Sequence, residues 1–376
     1  MKTQVSIAII GAGDVSVLYY LPALKNSSLI HVAAICDLNL DRANLVAKAF
    51  DIPKIFQDYK EMLIDTSIDA VLNLTPPFLH FEINRAVIAA GKNLYSEKPM
   101  ASTLEEADIL IKEAAVNQIK FAVAPSVMID PVNVAVKKLL SDHVIGKISY
   151  AVAHFSHGGP ASRGYFDFYT TLVNSYHLDD LVGESTDPSW FYQGGSGGAL
   201  ADLGIYSLTT LTGLLGPARR ITSFATRCFP EVTIMGGVAR GKRIEVNEKD
   251  CTLVLLDFGN GVLATVDSAW TVQASKGPMI EIYGSEGTIS INKSGEEPAF
   301  QVFLEKSDEL RGWITPTFVN KPKWNVGSGM HNFAEAVLYN QKPVMSGEHA
   351  RHVFEIITHS QVANEEGRTI ELHTKF

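Results

Sequence analysis

The chain has 376 residues, 46% of them hydrophobic, and a formal net charge of −9. This length is sufficient for two domains with buried cores, and an acidic surface argues against nucleic acid or an anionic membrane as a general partner. The three cysteines are far apart and form no pair motif, which is typical of a reducing compartment. Because no apolar run is long enough for a signal peptide core or a membrane span, we expect a cytoplasmic protein.

The first part of the chain alternates strand and helix patterns, which predicts a parallel sheet covered by helices. Pro22 lies where the first helix is expected, so that helix should be short or kinked. A hydroxyl residue followed three positions later by a glutamate predicts a helix start near Ser102-Thr103. The strands are predicted at 5–10, 31–36, 70–74, 92–95 and 121–124, and further helices at 41–50 and 81–90.

A glycine turn follows the first predicted strand directly. Its first glycine permits a tight turn, and its second lets backbone N–H groups approach a pyrophosphate at the positive end of the next helix. Ser16 stands where a third glycine or alanine is usual, and it is small enough for the helix to pack on the strand. Because the turn lies between a buried strand and a helix, it predicts a dinucleotide site. The residues of this site are Gly11, Ala12, Gly13, Asp14 and Val15.

Asp37 ends the second predicted strand, 24 positions after Gly13. A carboxylate there can accept hydrogen bonds from the ribose hydroxyls of NAD, and it repels the 2′-phosphate of NADP. The next three residues offer no cation, and Arg42 is five positions on. We therefore expect NAD as the cofactor, with NADP as the alternative. An N-cap role for Asp37 is compatible with ribose binding.

Ser96-Glu97-Lys98-Pro99 follows a later strand of the same predicted sheet. Lys98 should therefore lie at the carboxyl edge of the sheet, where open α/β folds hold their ligands. A cation there can bind a substrate oxygen or tune a neighbouring proton donor. The alternative is a surface lysine in a loop.

A different pattern begins near residue 150 and predicts a mainly antiparallel sheet. Two hairpins are indicated, because their turns, at Gly259-Asn260-Gly261 and at 284–287, contain residues that tolerate positive φ. The stretch 156–196 has no regular pattern and is interpreted as a loop over the active site or an oligomer contact. Helices are predicted at 330–339 and 348–366.

Asp202 and Tyr206 lie where the glycine-rich stretch 194–198 leads into a helix pattern. Their spacing of four positions places both on one helix face. A carboxylate and a phenol in this arrangement can contact a bound polyol together.

These motifs resemble those of the Gfo/Idh/MocA oxidoreductase family, over nearly the whole chain. The resemblance implies a Rossmann dinucleotide-binding domain, placed at 1–124, and a C-terminal α/β domain at 125–376 with a large, mainly antiparallel open sheet. It also implies NAD(P)-dependent oxidation or reduction of a sugar, a polyol or a related derivative, in a homodimer or homotetramer. The matching pieces are the glycine turn at 11–16, Thr75-Pro76-Pro77 with His80, Ser96-Glu97-Lys98-Pro99, and Gly197-Gly198-Ala199-Leu200-Ala201-Asp202-Leu203-Gly204.

Further site residues follow from the resemblance. It implies that the cofactor is also contacted by Thr75, Pro76, His80, Glu97 and Lys98. Many members carry a histidine four residues after the aspartate. This chain has Tyr206 at that position, which resembles the glucose-fructose oxidoreductase and dihydrodiol dehydrogenase branch of the family. Members of that branch place a tyrosine there and often use NADP.

Hydride transfer from an alcohol requires removal of the hydroxyl proton, and a free tyrosine with a pKa near ~10 is a poor base at neutral pH. A nearby ammonium such as Lys98 would stabilise tyrosinate and lower that pKa. We therefore assign Tyr206 as acid/base, Lys98 as its electrostatic partner or proton relay, and Asp202 as orienting substrate hydroxyls. Alternatively, Lys98 binds the substrate oxygen directly, or Tyr206 is a buried aromatic with no chemical role.

Two other functions fit the same motifs: a dinucleotide-binding regulatory protein without turnover, and NAD-dependent glycoside cleavage through transient oxidation. No metal site is expected, since His154 and His157 lack a third ligand nearby. The segment 177–180 could contact substrate, and Trp190 with Phe191 could wall a pocket.

Overall fold

A six-stranded parallel sheet forms the first part of the molecule in the computed structural model, which describes residues 2–176, 187–293, 295–305, 311–317 and 325–376. The strand order is β3-β2-β1-β4-β5-β6, so a crevice opens at the carboxyl ends of β1 and β4, where the order reverses. The predicted parallel sheet is confirmed. The strands are Val5–Ile10 (β1), Ile30–Cys36 (β2), Lys54–Phe56 (β3), Ala70–Asn73 (β4), Asn93–Ser96 (β5) and Phe121–Val123 (β6).

Helices cover both faces of this sheet. Ile7 and Ile9 of β1 pack into one apolar cluster, while Ala8 and Ile10 pack into the other, as expected for a strand buried on both sides. The helices are Leu21–Leu24 (α1), Leu40–Ala49 (α2), Tyr59–Leu63 (α3), His80–Ala89 (α4) and Leu104–Val116 (α5).

Local chemistry explains where these helices begin. A π-helical turn at Ser16–Tyr20 precedes α1, and Pro22 lies in the first turn of α1, so the first helix is interrupted, as predicted. Thr103 and Glu106 form the capping box that starts α5.

A nine-stranded sheet forms the second part, in the order β16-β15-β14-β13-β7-β12-β11-β8-β17. Only the β7–β12 pair within it is parallel among the described residues, so the prediction of a mainly antiparallel sheet is confirmed. Both predicted hairpins, β11–β12 and β13–β14, are present. The strands are Ile148–His154 (β7), Arg220–Thr226 (β8), Cys251–Gly259 (β11), Val262–Ala269 (β12), Ile280–Gly284 (β13), Gly287–Ile291 (β14), Phe300–Glu305 (β15), Arg311–Ile314 (β16) and Ile370–Glu371 (β17); Glu231–Thr233 (β9) and Arg243–Glu245 (β10) pair separately.

One face of the large sheet is covered and the other is open. Val254 and Leu256 of β11 are buried, whereas Leu253 and Leu255 between them are 53% and 41% exposed. Helices line the covered face. The helices of this part are Pro131–Ser141 (α6), Arg163–Tyr176 (α7), Ser189–Tyr192 (α8), Ile205–Leu215 (α9), Ser328–Leu338 (α10) and Gly347–Glu366 (α11).

The C-terminal helices return to the first sheet. Met330 and Phe333 of α10 pack in a cluster with β1 and Tyr95, and the N–H of Val123 in β6 donates to the carbonyl of Met345 at 3.0 Å. The packing of the first sheet thus includes residues well beyond position 124, and the sequence limits 1–124 and 125–376 stay a prediction.

The expectation of an irregular segment at 156–196 is wrong for α7 and α8. Tyr169 and Val173, four positions apart, are each 8% exposed and anchor α7 in the core of the first sheet. Aromatic residues provide much of the apolar face of α7, so its period is less evident than in an aliphatic helix. The proposed contact segment 177–180 lies outside the described residues. None of the helices in the described ranges is both long and apolar enough to cross a bilayer.

Candidate active site

The glycine turn after β1 leaves room for a dinucleotide. Gly11 has φ +102°, and a Cβ there would lie 2.7 Å from the carbonyl oxygen of Leu74, so a side chain is excluded. A Cβ added to Gly13 would meet nothing within 4 Å. This open space over the backbone is what close approach of a pyrophosphate requires, and the residues present therefore fit the predicted cofactor.

Asp37 is joined to the glycine turn. Its Oδ2 accepts from the N–H of Ala12 at 2.7 Å, and its Oδ1 accepts from the N–H of Asn39 at 2.8 Å. Arg42, which the sequence places five positions away, folds back in the first turn of α2. Its Nε donates to the carbonyl of Ala12 at 2.8 Å, and its guanidinium lies 3.7 Å from the Asp14 carboxylate. This side of the glycine turn therefore carries a carboxylate and a cation, although the local sequence indicated only the carboxylate.

His80 lies beneath the turn that follows β4. Its ring is 1% exposed, with Nδ1 2.5 Å from the carbonyl oxygen of Pro99 and Nε2 2.8 Å from that of Thr75. Burial lowers its pKa, and a neutral imidazole donates to only one of these two carbonyls. His80 thus connects the Thr75-Pro76 turn, whose residues are more exposed, to the lysine loop.

Glu97 connects the lysine loop to the helix that follows the glycine turn. Its Oε1 accepts from the Tyr20 hydroxyl at 2.6 Å, and its Oε2 accepts from the N–H of Lys98 at 2.9 Å. The loop is also held by the N–H of Glu97, which donates to the carbonyl of Asn73 at 2.9 Å. Lys98 is therefore placed by the contacts of Glu97 with the helix after the glycine turn and with the end of β4.

Lys98 and Asp202 meet between the two parts of the molecule. The Lys98 Nζ lies 3.3 Å from Asp202 Oδ1 and 3.1 Å from the Asp202 carbonyl. The two side chains are 18% and 17% exposed, so this ion pair is shielded from water but accessible. The indole N–H of Trp270 donates to Asp202 Oδ2 at 3.2 Å, which leaves both carboxylate oxygens oriented.

Tyr206 completes the constellation. The Lys98 Nζ lies over its ring, 5.7 Å from the centroid, and the Phe155 ring stacks on it at 5.1 Å with an interplanar angle of 8°. The three predicted residues Lys98, Asp202 and Tyr206, from two distant parts of the chain, are brought together. A π-helical turn, Leu200–Gly204, carries Asp202, and α9 begins next to it.

The expected net lowering of the Tyr206 pKa is wrong. Burial raises the pKa of the phenol to about 12; Lys98 acts in the expected, opposite direction, but Glu97 and Asp202 add to the rise. Burial by itself lowers the pKa of Lys98, yet Asp202, Tyr206 and Glu97 raise it overall. At neutral pH the site therefore holds a lysine cation beside a neutral phenol.

Comparison with known protein families identifies the family to which this fold belongs. Residues 5–124 match the family described as "Oxidoreductase family, NAD-binding Rossmann fold", and residues 133–290 match the "GFO/IDH/MocA C-terminal domain". The chain belongs to the Gfo/Idh/MocA oxidoreductase family. It is therefore an oxidoreductase with an NAD-binding domain, and the predicted family and fold are confirmed.

Relatives of this Gfo/Idh/MocA protein include named dehydrogenases. It is 24% identical over 294 residues to levoglucosan dehydrogenase of Pseudarthrobacter phenanthrenivorans, and the aligned region covers 75% of this chain and 70% of that protein. It is 26% identical over 287 residues to trans-1,2-dihydrobenzene-1,2-diol dehydrogenase of Sus scrofa, with coverages of 76% and 72%. A solved levoglucosan dehydrogenase, in complex with NADH and levoglucosan, has a TM-score of 0.81 at 20% identity over 98% of this chain and 99% of that one.

Several site residues of this Gfo/Idh/MocA protein were missed from the sequence. Trp270 lies 68 positions from Asp202 in the sequence, and Phe155 lies just beyond β7. Neither residue belongs to a recognised motif. Tyr20 signals nothing by itself, because its role depends on Glu97. His157, considered only as a metal ligand, accepts from the N–H of Gly159 at 2.8 Å, which leaves its N–H on Nε2.

The walls of the site are aromatic. Phe191 meets Trp270 edge-to-face at 6.4 Å and stacks on Trp190 at 3.8 Å. Trp190 is 48% exposed, so Phe191 is the inner member of the predicted pair. Within the described ranges, His, Cys, Asp and Glu side chains form no cluster of three suited to a metal ion.

Proposed function

We propose that this Gfo/Idh/MocA protein transfers a hydride between the nicotinamide of NAD(H) and a CH–OH carbon of a sugar, a polyol or a related derivative. The observation that carries the proposal is the meeting of Lys98, Asp202 and Tyr206 at the carboxyl edge of the dinucleotide-binding sheet. A regulatory protein without turnover has no need for a shielded lysine cation held beside a phenol.

The residues around the glycine turn would hold the cofactor. Gly11, Ala12 and Gly13 would offer the backbone for the pyrophosphate, and Asp37 would accept hydrogen bonds from the adenosine ribose. When bound, the nicotinamide supplies or accepts the hydride. Asp14, Val15, Thr75, Pro76 and Glu97 are assigned to the same site, while His80 acts through the carbonyls of Thr75 and Pro99 because it is buried.

The protein's own groups manage the proton. The Lys98 ammonium can donate a hydrogen bond to the reacting oxygen and stabilise negative charge on it. The neutral Tyr206 phenol can protonate that oxygen in the reduction direction. Asp202 keeps the Lys98 side chain in place and accepts from a neighbouring substrate hydroxyl.

The proposed substrate class follows from the lining of the site. A carbohydrate presents hydroxyls and an apolar C–H face, and here charged groups and aromatic rings lie side by side. Levoglucosan dehydrogenase and a scyllo-inositol 2-dehydrogenase of Bacillus subtilis are among the relatives, which supports this class. The open face of the large sheet, with Leu253 and Leu255, supports self-association as a homodimer or homotetramer.

Cofactor absorbance during incubation with sugars, polyols and glycosides, together with product analysis, tests the proposal. We expect a stoichiometric change in the nicotinamide band with at least one sugar or polyol. Product formed without net change would favour glycoside cleavage through transient oxidation. A protein that binds NAD(H) but converts none of these substrates, while remaining folded, would favour a regulatory role and contradict the proposal.

A further inference from the structure

Cys228 and Cys251 lie together at one end of the large sheet, although they are far apart in the sequence. Cys251 opens β11 and pairs with Thr226, the last residue of β8. Cys228 follows two positions later, close enough to Cys251 for each thiol to affect the pKa of the other. Cys228 is exposed and Cys251 is half-buried, so reagents in solvent reach the pair.

Asp250 holds the two cysteines in this arrangement. Its carboxylate accepts from the N–H of Cys228 at 2.6 Å and from that of Phe229 at 3.0 Å, and the residue is 2% exposed. Because Asp250 directly precedes Cys251, one buried residue fixes the backbone of both cysteines. Thiols held in this way need little rearrangement to become linked.

The same segment supports the substrate side of the active site. The Glu248 carboxylate accepts from the N–H groups of the glycine stretch, at 2.6 Å from Gly195, and the carbonyl of Lys249 accepts from the N–H of Ala199 at 3.0 Å. The carbonyl of Asp250 accepts from the N–H of Trp270 at 2.8 Å. Through the Trp270 indole these contacts reach Asp202.

We propose that Cys228 and Cys251 form a reversible disulfide, and that this modification restrains the segment that supports the substrate side of the active site. The oxidant is a low-molecular-weight disulfide. The Cys228 thiolate attacks one of its sulfurs and releases one thiol, which leaves a mixed disulfide on Cys228. Cys251 loses its proton to solvent, attacks the Cys228 Sγ and releases the second thiol. The protein gives up two electrons and two protons, and the reagent gains both.

The electrostatics of the pair set its rate. Burial, the Asp250 carboxylate and Cys251 raise the pKa of the Cys228 thiol to about 11. Because the thiolate is the attacking species, oxidation should be slow near neutrality and should accelerate about tenfold per pH unit up to pH 9 or so. A thiol of ordinary pKa, near ~8.5, would already level off in this range.

Incubation of the full chain with oxidised glutathione, followed by peptide mapping, tests the disulfide. We expect an intramolecular Cys228–Cys251 link that dithiothreitol reverses, with Cys36, which is buried and far from the pair, left as a thiol. The Cys251→Ser variant should stop at a mixed disulfide on Cys228. A stable mixed disulfide on Cys228 in the wild type, an intermolecular link, or no reaction at pH 9 would overturn the proposal.

Hydrogen exchange tests the restraint without any substrate. In the oxidised protein, amide exchange at Gly195 and Trp270 should slow at least threefold, and NADH affinity should change less than twofold. Equal exchange in the two redox forms would overturn the second half of the proposal. An effect on kcat/KM rests on the proposed function, whereas the linkage and the exchange rates do not.

Discussion

Replacement of Lys98 by methionine tests the electrostatics of the proposed site most directly. The Lys98 Nζ lies 5.7 Å from the Tyr206 ring centroid. At an effective dielectric constant of about 20, a unit charge at this separation contributes about 3 kcal/mol, or about two pKa units. Without the cation, the pKa of Tyr206 should rise by that amount and the developing alkoxide should lose its charge partner. We expect kcat for alcohol oxidation to fall at least about 100-fold, measured from the nicotinamide band with the substrate found in the screen.

Lys60 offers a matched control for this experiment. Its Nζ lies 5.8 Å from the Tyr59 ring centroid, almost the same geometry, but on an exposed helix. Lys60→Met should keep wild-type turnover. If Lys98→Met retained kcat within about threefold of wild type while folded and NADH-bound, Lys98 would not be an electrostatic partner of Tyr206.

Three further predictions concern the proton, the cofactor and acid stability. Tyr206→Phe should lower kcat by about 10²–10⁴-fold while NADH affinity by fluorescence titration stays within twofold; wild-type turnover would remove Tyr206 as the proton carrier. Asp37→Ala should weaken NADH binding and reduce discrimination against NADPH, because a ribose acceptor and a repulsive charge are lost; an unchanged preference in the same titration would defeat this assignment. Burial lowers the pKa of His349 to about 3 and that of His352 to about 4, so the unfolded chain takes up these protons first as pH falls below about 6.5. Each histidine should therefore lower the free energy of unfolding by about 2 kcal/mol between pH 7 and pH 5. Urea titrations should show a smaller decrease in the free energy of unfolding over this range for His352→Gln than for the wild type. Equal losses would contradict this role.

Local sequence determined much of the scaffold. Gly11 is required because only a residue without Cβ can adopt φ +102° beside the Leu74 carbonyl, and this constraint is visible as a glycine directly after an apolar strand. Asn260 has φ 55°, a conformation that asparagine tolerates, so the β11–β12 hairpin can similarly be predicted from the residues of its turn. The helix start at Thr103 is also local, since its capping partner is three residues away.

Which distant residues come into contact depends on the tertiary structure. Trp270 orients Asp202 across 68 positions, Arg42 folds back onto the glycine turn, and Cys228 meets Cys251 through the register of β8 and β11. None of these contacts leaves a periodic or spacing signal, because each depends on how separate elements pack.

The protonation state of Tyr206 likewise depends on both the sequence and the tertiary structure. The motifs indicate that a lysine, a carboxylate and a tyrosine are available, and they predict that Lys98 favours tyrosinate. Whether the phenol is ionised depends on the sum of desolvation and every nearby charge. In the folded protein, burial with Glu97 and Asp202 outweighs Lys98 and raises the pKa of Tyr206 to about 12. These contributions to the pKa act together only in the folded protein, where both parts of the chain surround the site.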